Sequence, residues 1–350
     1  MALGPHAAFY FLASDNTTSR EQEEIFENER KGLYPEMGWT FGDISFVKPE
    51  YGSSSTMAVT PVWFITAASS GFGQAIAIAA LRRGHTVIAT ARNPSRIQDL
   101  AAAGAHTLAF DVTSPPSTIE GVAKDVFAKH GRVDYLVNAA GFMLEAAVEE
   151  ATPEEVYQSF NTNVFGVMNT LRAFLPYMRA QEVADNGVRG VVATFGSLGS
   201  WRGVAGGAVY AMTKWACSAL AESLATELEP FKIKATVVEP GYFRTGFLNP
   251  GTLASSKVRI DAYEDEKTPT GQTRRRLLAT DGNQLGDVNK GAEVVVDMLS
   301  GTGVAGGRAL PVRVVLGSDT EKVIRDKFES TNKILDEWKD VLRSTDSPLN

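Results

Sequence analysis

One cysteine, Cys217, and four histidines among 350 residues leave little from which to build a disulfide or a metal centre. A lone thiol excludes an internal disulfide and a cysteine-based zinc site, and His6, His85, His106 and His130 show no metal-ligand spacing. The expectation is a protein without a bound metal, working in a reducing compartment, the cytoplasm. Basic charge is also short: 34 Lys and Arg stand against 41 Asp and Glu, giving a formal charge of −7 and a pI near 5.3. That balance provides no field to condense on phosphate backbones or anionic lipid. The longest basic run is Arg274-Arg275-Arg276. No apolar run approaches the roughly 18 residues needed to span a bilayer. The short apolar start, Ala7 to Ala13, lacks the basic lead-in of a signal peptide, and Ser347-Pro348-Leu349-Asn350 is no known address. Neither nucleic acid nor membrane is therefore an expected partner. What is present is apolar bulk, 44% of the chain against 21% charged, enough for a large core.

Residues 1–57 stand apart, with a Glu-rich stretch (Glu21, Glu23, Glu24, Glu27, Glu29), then a Gly/Pro/aromatic stretch and Ser53-Ser54-Ser55. They read either as a mobile extension or as sequence ahead of a true start at Met57. From Val59 onward, short β-branched runs alternate with amphipathic stretches. The expected strands are 62–66, 86–90, 106–110, 133–138, 190–195, 232–239 and 310–316. The expected helices are 74–83, 94–103, about 115–130, about 153–180, about 207–229, one from near Asp287, and 320–343. Strict βα alternation with fully apolar strands predicts an α/β fold. Its doubly wound parallel sheet has helices on both faces and places ligands at the carboxyl ends of the strands.

The first strand runs into Thr66-Ala67-Ala68-Ser69-Ser70-Gly71-Phe72-Gly73 and then a helix. A Gly-rich turn at a helix N-terminus presents backbone N–H groups and a favourable dipole to a pyrophosphate. The second strand ends Ala91-Arg92-Asn93 with no acid. A carboxylate there would accept hydrogen bonds from an adenosine ribose, whereas a guanidinium pairs with a 2′-phosphate. Arg92, with Asn93 or Ser70 as further donors, therefore favours NADP(H) over NAD(H). Tyr210 and Lys214, four residues apart, share one face of a helix. Ser197 ends an apolar strand 13 residues earlier.

That turn, Asn138-Ala139-Ala140-Gly141, Ser197, Tyr210-Ala211-Met212-Thr213-Lys214 and Pro240-Gly241 occur in this order. The series resembles the classical short-chain dehydrogenase/reductase family over residues 60 to about 340. Glu239-Pro240-Gly241-Tyr242-Phe243-Arg244-Thr245 and the ending around Trp338 are similar to its 17β-hydroxysteroid-dehydrogenase-like branch. The resemblance implies a single Rossmann-type domain over 58–350, hydride transfer between nicotinamide and a CH–OH or C=O group, and a homodimer or homotetramer. It implies that Ser197 orients the substrate oxygen, Tyr210 is general acid or base, Lys214 tunes Tyr210 and holds ribose, and Asn163 supports the proton relay. A cation is needed because an unperturbed phenol, with a pKa near 10, exchanges protons poorly at neutral pH.

The cofactor contacts expected are Thr66, Ser69, Ser70, Gly71, Phe72 and Gly73 in the turn, Arg92 and Asn93, then Asp111 and Val112 after the third strand. They continue with Asn138, Ala139, Ala140 and Gly141 after the fourth, Tyr210 and Lys214, and Pro240, Gly241, Phe243 and Thr245. One departure stands at Ala67, where the family has its first glycine; a Cβ there costs about 1 kcal/mol if the backbone needs positive φ. Residues 246–285, with Pro250, Gly251, Pro269, Gly271 and the arginine run, read as a long connection acting as a lid. Leu253 and Tyr263, with Phe142, Met143, Leu144, Leu198, Trp201 and Tyr242, are expected to line a partly aromatic pocket for a small to medium apolar or aromatic carbonyl or alcohol. Cys217 reads as a packing residue. Two other readings keep the same residues: a dinucleotide-dependent binding or regulatory protein with a degraded turn, and a dehydratase or isomerase without net redox change.

Overall fold

The computed structural model describes residues 60–249 and 252–347, and the expectation for residues 1–57 lies outside them. The chain divides into Met1–Met57 and Ala58–Asn350, and the second unit carries the fold.

Nine strands occur among the described residues: β1 Val62–Ile65, β2 Thr86–Ala91, β3 His106–Ala109, β4 Tyr135–Asn138, β5 Met143–Glu145, β6 Gly190–Phe195, β7 Ile233–Pro240, β8 Leu253–Ser255 and β9 Arg313–Leu316. Seven form one parallel sheet in the order β3-β2-β1-β4-β6-β7-β9. The order reverses between β1 and β4, which opens a crevice at their carboxyl ends. Helices α1 Gly71–Arg82, α2 Gln98–Ala102, α3 Pro116–His130, α4 Pro153–Phe160, α5 Gly166–Ala180 and α6 Ala208–Glu227 connect successive strands.

Alternation along β1 explains why both faces are covered. Trp63 and Ile65 pack with Ala75 and Ile76 of α1 and with Val295 and Val296 of α9 Val288–Ser300. Val62 and Phe64 point the other way, onto Ile119 and Ala123 of α3 and Leu171 and Phe174 of α5. Each such buried side chain contributes about 1.5–3 kcal/mol, so neither face tolerates exposure. The doubly wound sheet expected from the alternation is the sheet observed.

Two of the differences from the expectation lie beside the cavity. The long helix over 153–180 is interrupted by a π turn, Asn161–Phe165, between α4 and α5. The segment 246–285 is also not a bare loop. β8 pairs in parallel with β5, and α7 Asp261–Glu264 and α8 Pro269–Thr280 follow. Pro269 and Gly271 read as breakers, yet proline is tolerated in a first helical turn. Thr268 caps α8 by accepting from the Gly271 N–H, and a Cβ on Gly271 would lie 2.3 Å from the Asp265 carbonyl oxygen.

Charge fastens this segment to the sheet. Arg274 on α8 donates to Glu145 (2.8 Å), to Glu264 (2.8 Å) and to Glu150, while Arg259 reaches Glu145 at 2.8 Å. Glu150 also accepts from the Ala147 and Ile260 N–H groups. Burial opposes ionisation of Glu150, but those N–H groups and the Arg274 guanidinium outweigh it and hold the carboxyl below its ordinary 4.5. Its contribution to stability is therefore complete above about pH 4.5 and disappears as the pH falls through the lower, folded value. Arg274→Ala leaves a buried carboxylate with Arg259 alone nearby, and a loss of about 2–3 kcal/mol is expected in urea unfolding at pH 7, shrinking towards pH 3.

After β9, α10 Ser318–Glu337 and α11 Lys339–Arg343 replace the single terminal helix expected over 320–343. No helix among the described residues is long and apolar enough to cross a membrane.

Candidate active site

The crevice between β1 and β4 opens into a cavity of about 700 Å³. Its floor at one end is the turn after β1. Ala67 has φ 53, so the alanine sits in the left-handed region that disfavours a Cβ. The Ala68 N–H donates to the Thr90 carbonyl at 2.7 Å, which holds the turn in that shape. Close approach is demanded at Gly73, where a Cβ would lie 2.7 Å from the Ala67 carbonyl oxygen. Ala67→Gly is expected to raise stability by about 0.5–1 kcal/mol, the relieved strain less the entropy glycine adds to the unfolded chain, read as an increase in Tm.

The start of α1 suits an anion. Its first turn contains no acidic residue, and Ser70 at the N-cap makes no side-chain capping bond. Ser69, Ser70, Gly71, Phe72 and Gly73 all line the cavity. Phe72 packs against Phe195 and Phe243, with ring centroids 5.5 and 5.0 Å apart, and so carries the turn on the ends of β6 and β7. Thr66 is placed differently from the expectation. Its Oγ1 accepts from the Ala139 and Ala140 N–H groups at 2.9 and 3.1 Å, a strut joining the ends of β1 and β4.

Arg92 lines the far end of the cavity, and so does Arg96, one turn later, which the sequence reading missed. Both are exposed, and neither has an ion-pair partner among the described residues. Asn93 is not in the wall; its Oδ1 accepts from the Ser95 N–H at 3.0 Å as a cap. Asp111 and Val112 are in the wall, with the Asp111 carboxylate accepting from the N–H and hydroxyl of Thr113. Ala139, Ala140 and Gly141 line it too, but the Asn138 side chain is buried behind them, and its amide has no hydrogen-bond partner among the described residues.

At the other end, α6 brings Tyr210 and Lys214 onto one face, with Lys214 Nζ 5.8 Å from the Tyr210 ring centroid. Lys214 is buried and donates to the Phe195 carbonyl at 2.8 Å. Ser197 follows β6 at the N-cap of a short 3₁₀ turn, its Oγ accepting from the Gly199 N–H at 3.1 Å. Ser200 supports Ser197. Its Oγ accepts from the Ser197 N–H and donates to the Lys214 carbonyl at 2.9 Å, tying the strand end to α6.

Asn163 lies in the π turn and does not reach the cavity wall. Its Oδ1 accepts from the Phe142 N–H, and its Nδ2 donates to the Phe142 carbonyl and the Thr213 hydroxyl. It joins the β4 end to α6. The buried Cys217 thiol donates to the Asn163 carbonyl at 3.1 Å, so the packing residue also serves the π turn. Arg96 carried no signal in the sequence, and the hydrogen bonds of Thr213 and Ser200 are set by distances between elements.

Burial pushes the Tyr210 phenol well above its ordinary value, with the Ser197 hydroxyl pulling the other way. Burial also lowers Lys214. At neutral pH Tyr210 is therefore a protonated phenol, able to donate to an oxygen that gains charge.

Pro240, Gly241, Phe243 and Thr245 complete the wall. The turn is held from α10: the Asp319 carboxylate accepts from the Tyr242 N–H at 2.7 Å, and a Cβ on Gly241 would meet it at 2.0 Å. Of the residues expected in the substrate pocket, Phe142, Met143, Leu198 and Tyr242 are there. Leu144 instead packs with Ala146 and Val209. Trp201 turns away, donating to Glu239 at 2.8 Å and stacking under Arg313, because the buried Glu239 needs a donor. Tyr263 bonds Glu149 at the surface, and Leu253 is spent in the β5–β8 pair. Phe247, Leu248 and Leu277 take their places. No group of three His, Cys, Asp or Glu able to hold a metal occurs among the described residues.

An α/β sheet that opens on a helix N-terminus at one end and on a tyrosine–lysine–serine cluster at the other defines a Rossmann-type oxidoreductase. The family model for short chain dehydrogenases matches residues 61–253, and the chain belongs to that dehydrogenase/reductase family. It is 31% identical to oxidoreductase BOA17 of Botryotinia fuckeliana, over 81% of this chain and 98% of that one. It is 37% identical to a 3-ketodihydrosphingosine reductase of Bacteroides thetaiotaomicron, over 57% of this chain and 71% of that one. A solved short-chain dehydrogenase from Streptomyces avermitilis superposes with a TM-score of 0.72 at 38% identity, covering 82% of this chain and all of that one. Among solved structures sharing the fold, some hold NAD and others NADP.

Proposed function

We propose that this dehydrogenase/reductase is NADP(H)-dependent and interconverts a carbonyl and an alcohol on a small to medium apolar or aromatic compound. The observation that carries the cofactor reading is the pair Arg92 and Arg96 on the cavity wall, with no acid at the end of β2 to occupy or oppose them. The residues fit the dinucleotide. The acid-free start of α1 and the Gly71–Gly73 turn would hold the pyrophosphate, the arginines a 2′-phosphate, and Lys214 the nicotinamide ribose. When bound, the nicotinamide supplies or accepts the hydride.

The chain's own residues do the rest. Ser197 orients the substrate oxygen beside Tyr210, which gives its proton to the oxygen in reduction and takes it back in oxidation. Lys214 favours the phenolate that forms, while Asn163, Ser200 and Thr213 keep strand end and helix in register. Phe142, Met143, Leu198, Tyr242, Phe247 and Leu248 exclude water and favour an apolar body. Exposed Tyr157 on α4 and Phe165 at the end of the π turn, with Met212 and Trp215 on α6, support pairing of two copies through these helices.

The reading is tested by NADPH and NADH consumption with a panel of ketones. Preference for NADPH is expected, and Arg92→Asp is expected to lower kcat/KM for NADPH by about ten- to a hundredfold and improve NADH. Equal use of both cofactors by the unaltered protein would overturn the NADP assignment. Ala67 takes the positive φ that the turn requires at the cost its Cβ imposes, and absence of binding to either dinucleotide in a calorimetric titration would favour the degraded-turn alternative.

A further inference from the structure

The apolar end of the cavity terminates in positive charge. Arg202, five residues beyond Ser197, lines the main cavity and also a second one of about 280 Å³ that meets it at Arg202 and Val204. Pro269, Thr273 and Arg276 of α8 form the opposite wall. The Arg276 guanidinium is turned back into this wall, 3.5 Å from the Thr273 hydroxyl. Both arginines are exposed, and neither has a carboxylate within ion-pair distance among the described residues. The contrast with their neighbours is informative. Arg259, Arg274 and Arg275 of the same segment are all paired, and the nearby Glu145 is already shared between Arg259 and Arg274. Two unmatched guanidinium groups, one five residues beyond Ser197 and one on α8, line a shared space that borders the catalytic cavity at Arg202 and Val204.

Resting on the hydride-transfer reading and deepening it, we propose that the substrate is a carbonyl compound bearing an oxyanion, such as a carboxylate, at the end remote from the carbonyl, held between Arg202 and Arg276. The apolar stretch of the cavity takes the body of the molecule, and the arginines set how far it enters, so that the carbonyl reaches Tyr210 and Ser197. An anion between them also draws α8 towards the Ser197 turn.

The probes are a homologous series of phenyl keto acids and their methyl esters, compared at matched chain length. At low ionic strength the unaltered protein is expected to prefer one of the acids over its ester in kcat/KM by roughly tenfold, with the preference in KM and reduced by salt. Arg276→Ala and Arg202→Ala are each expected to reduce the acid-to-ester ratio severalfold, Arg276→Glu to invert it, and Arg276→Lys to restore most of it. Calorimetric binding of the same probes in the presence of NADPH separates the two layers of the proposal. Selective binding of an acid without turnover would overturn the hydride-transfer reading and leave the anion site standing. Equal binding of acids and esters, or a preference unchanged in both alanine variants, would overturn the anion site.

Discussion

Tyr210→Phe is expected to lower kcat by about a thousand- to ten-thousandfold while leaving the affinity for NADPH nearly intact. The substitution removes one oxygen from a side chain whose ring lies against Phe247 and whose helix is anchored elsewhere, by Ser200 on the Lys214 carbonyl and Asn163 on Thr213. The fold therefore has no reason to change. What disappears is the most acidic hydroxyl the cluster aims at the cavity, because Lys214 is turned to the Phe195 carbonyl and the aliphatic hydroxyl of Ser197 is a far weaker acid than a phenol. The pH dependence has a definite sign. Burial holds the phenol protonated, so reduction is expected to be flat through neutral pH, and oxidation, which needs the phenolate, to accelerate as pH rises. Single-turnover reduction monitored by NADPH absorbance, with a separate fluorescence titration of NADPH, checks both halves. Turnover within tenfold of the unaltered enzyme would remove Tyr210 from the mechanism.

Lys214→Met is expected to cost about a hundred- to a thousandfold in kcat/KM, divided between weaker cofactor binding and a slower proton step. Methionine preserves the length and apolar stem of the lysine inside a space it already fills, so packing changes little. The lost ammonium has two consequences. The phenolate formed in oxidation has no adjacent cation, so the pH at which oxidation becomes fast moves upward. The ribose hydroxyls lose a donor, so KM for NADPH rises. Lys214→Arg is not expected to rescue, since the wider guanidinium has no room beside Gly141, where a Cβ alone would sit 3.4 Å from Nζ. A KM change without a shift in the pH profile would confine Lys214 to ribose binding.

These residues were legible because their spacing is local. Four residues on a helix put Tyr210 and Lys214 on one face, and an apolar strand delivers Ser197 to its carboxyl end. The departures share the opposite cause. Trp201 reads as a pocket aromatic until Glu239, 38 residues away, is found to need its N–H. Thr66 and Asn163 stand within cofactor and catalytic motifs, yet their hydrogen bonds cross to β4 and to α6. The arginine run reads as part of a long connection, but Arg274 is drawn inward by Glu145 and Glu150, more than a hundred positions earlier. Arg96 lacks a motif altogether and enters the wall only through the short turn after β2.

Apolar periodicity and short spacings, which act within a few residues, specify the parallel α/β sheet, the family, the serine beyond a strand end and the tyrosine–lysine pair on one helix face. The closed chain alone settles that Ala67 takes a left-handed φ, that the segment over the cavity carries a charge-clamped pair of helices, and that Arg202 and Arg276 have no carboxylate within ion-pair distance among the described residues. Those outcomes depend on which distant groups the closed chain brings within a few ångströms. Burial there raises the cost of leaving a charge or an N–H unpaired, and no local pattern records which partner answers it.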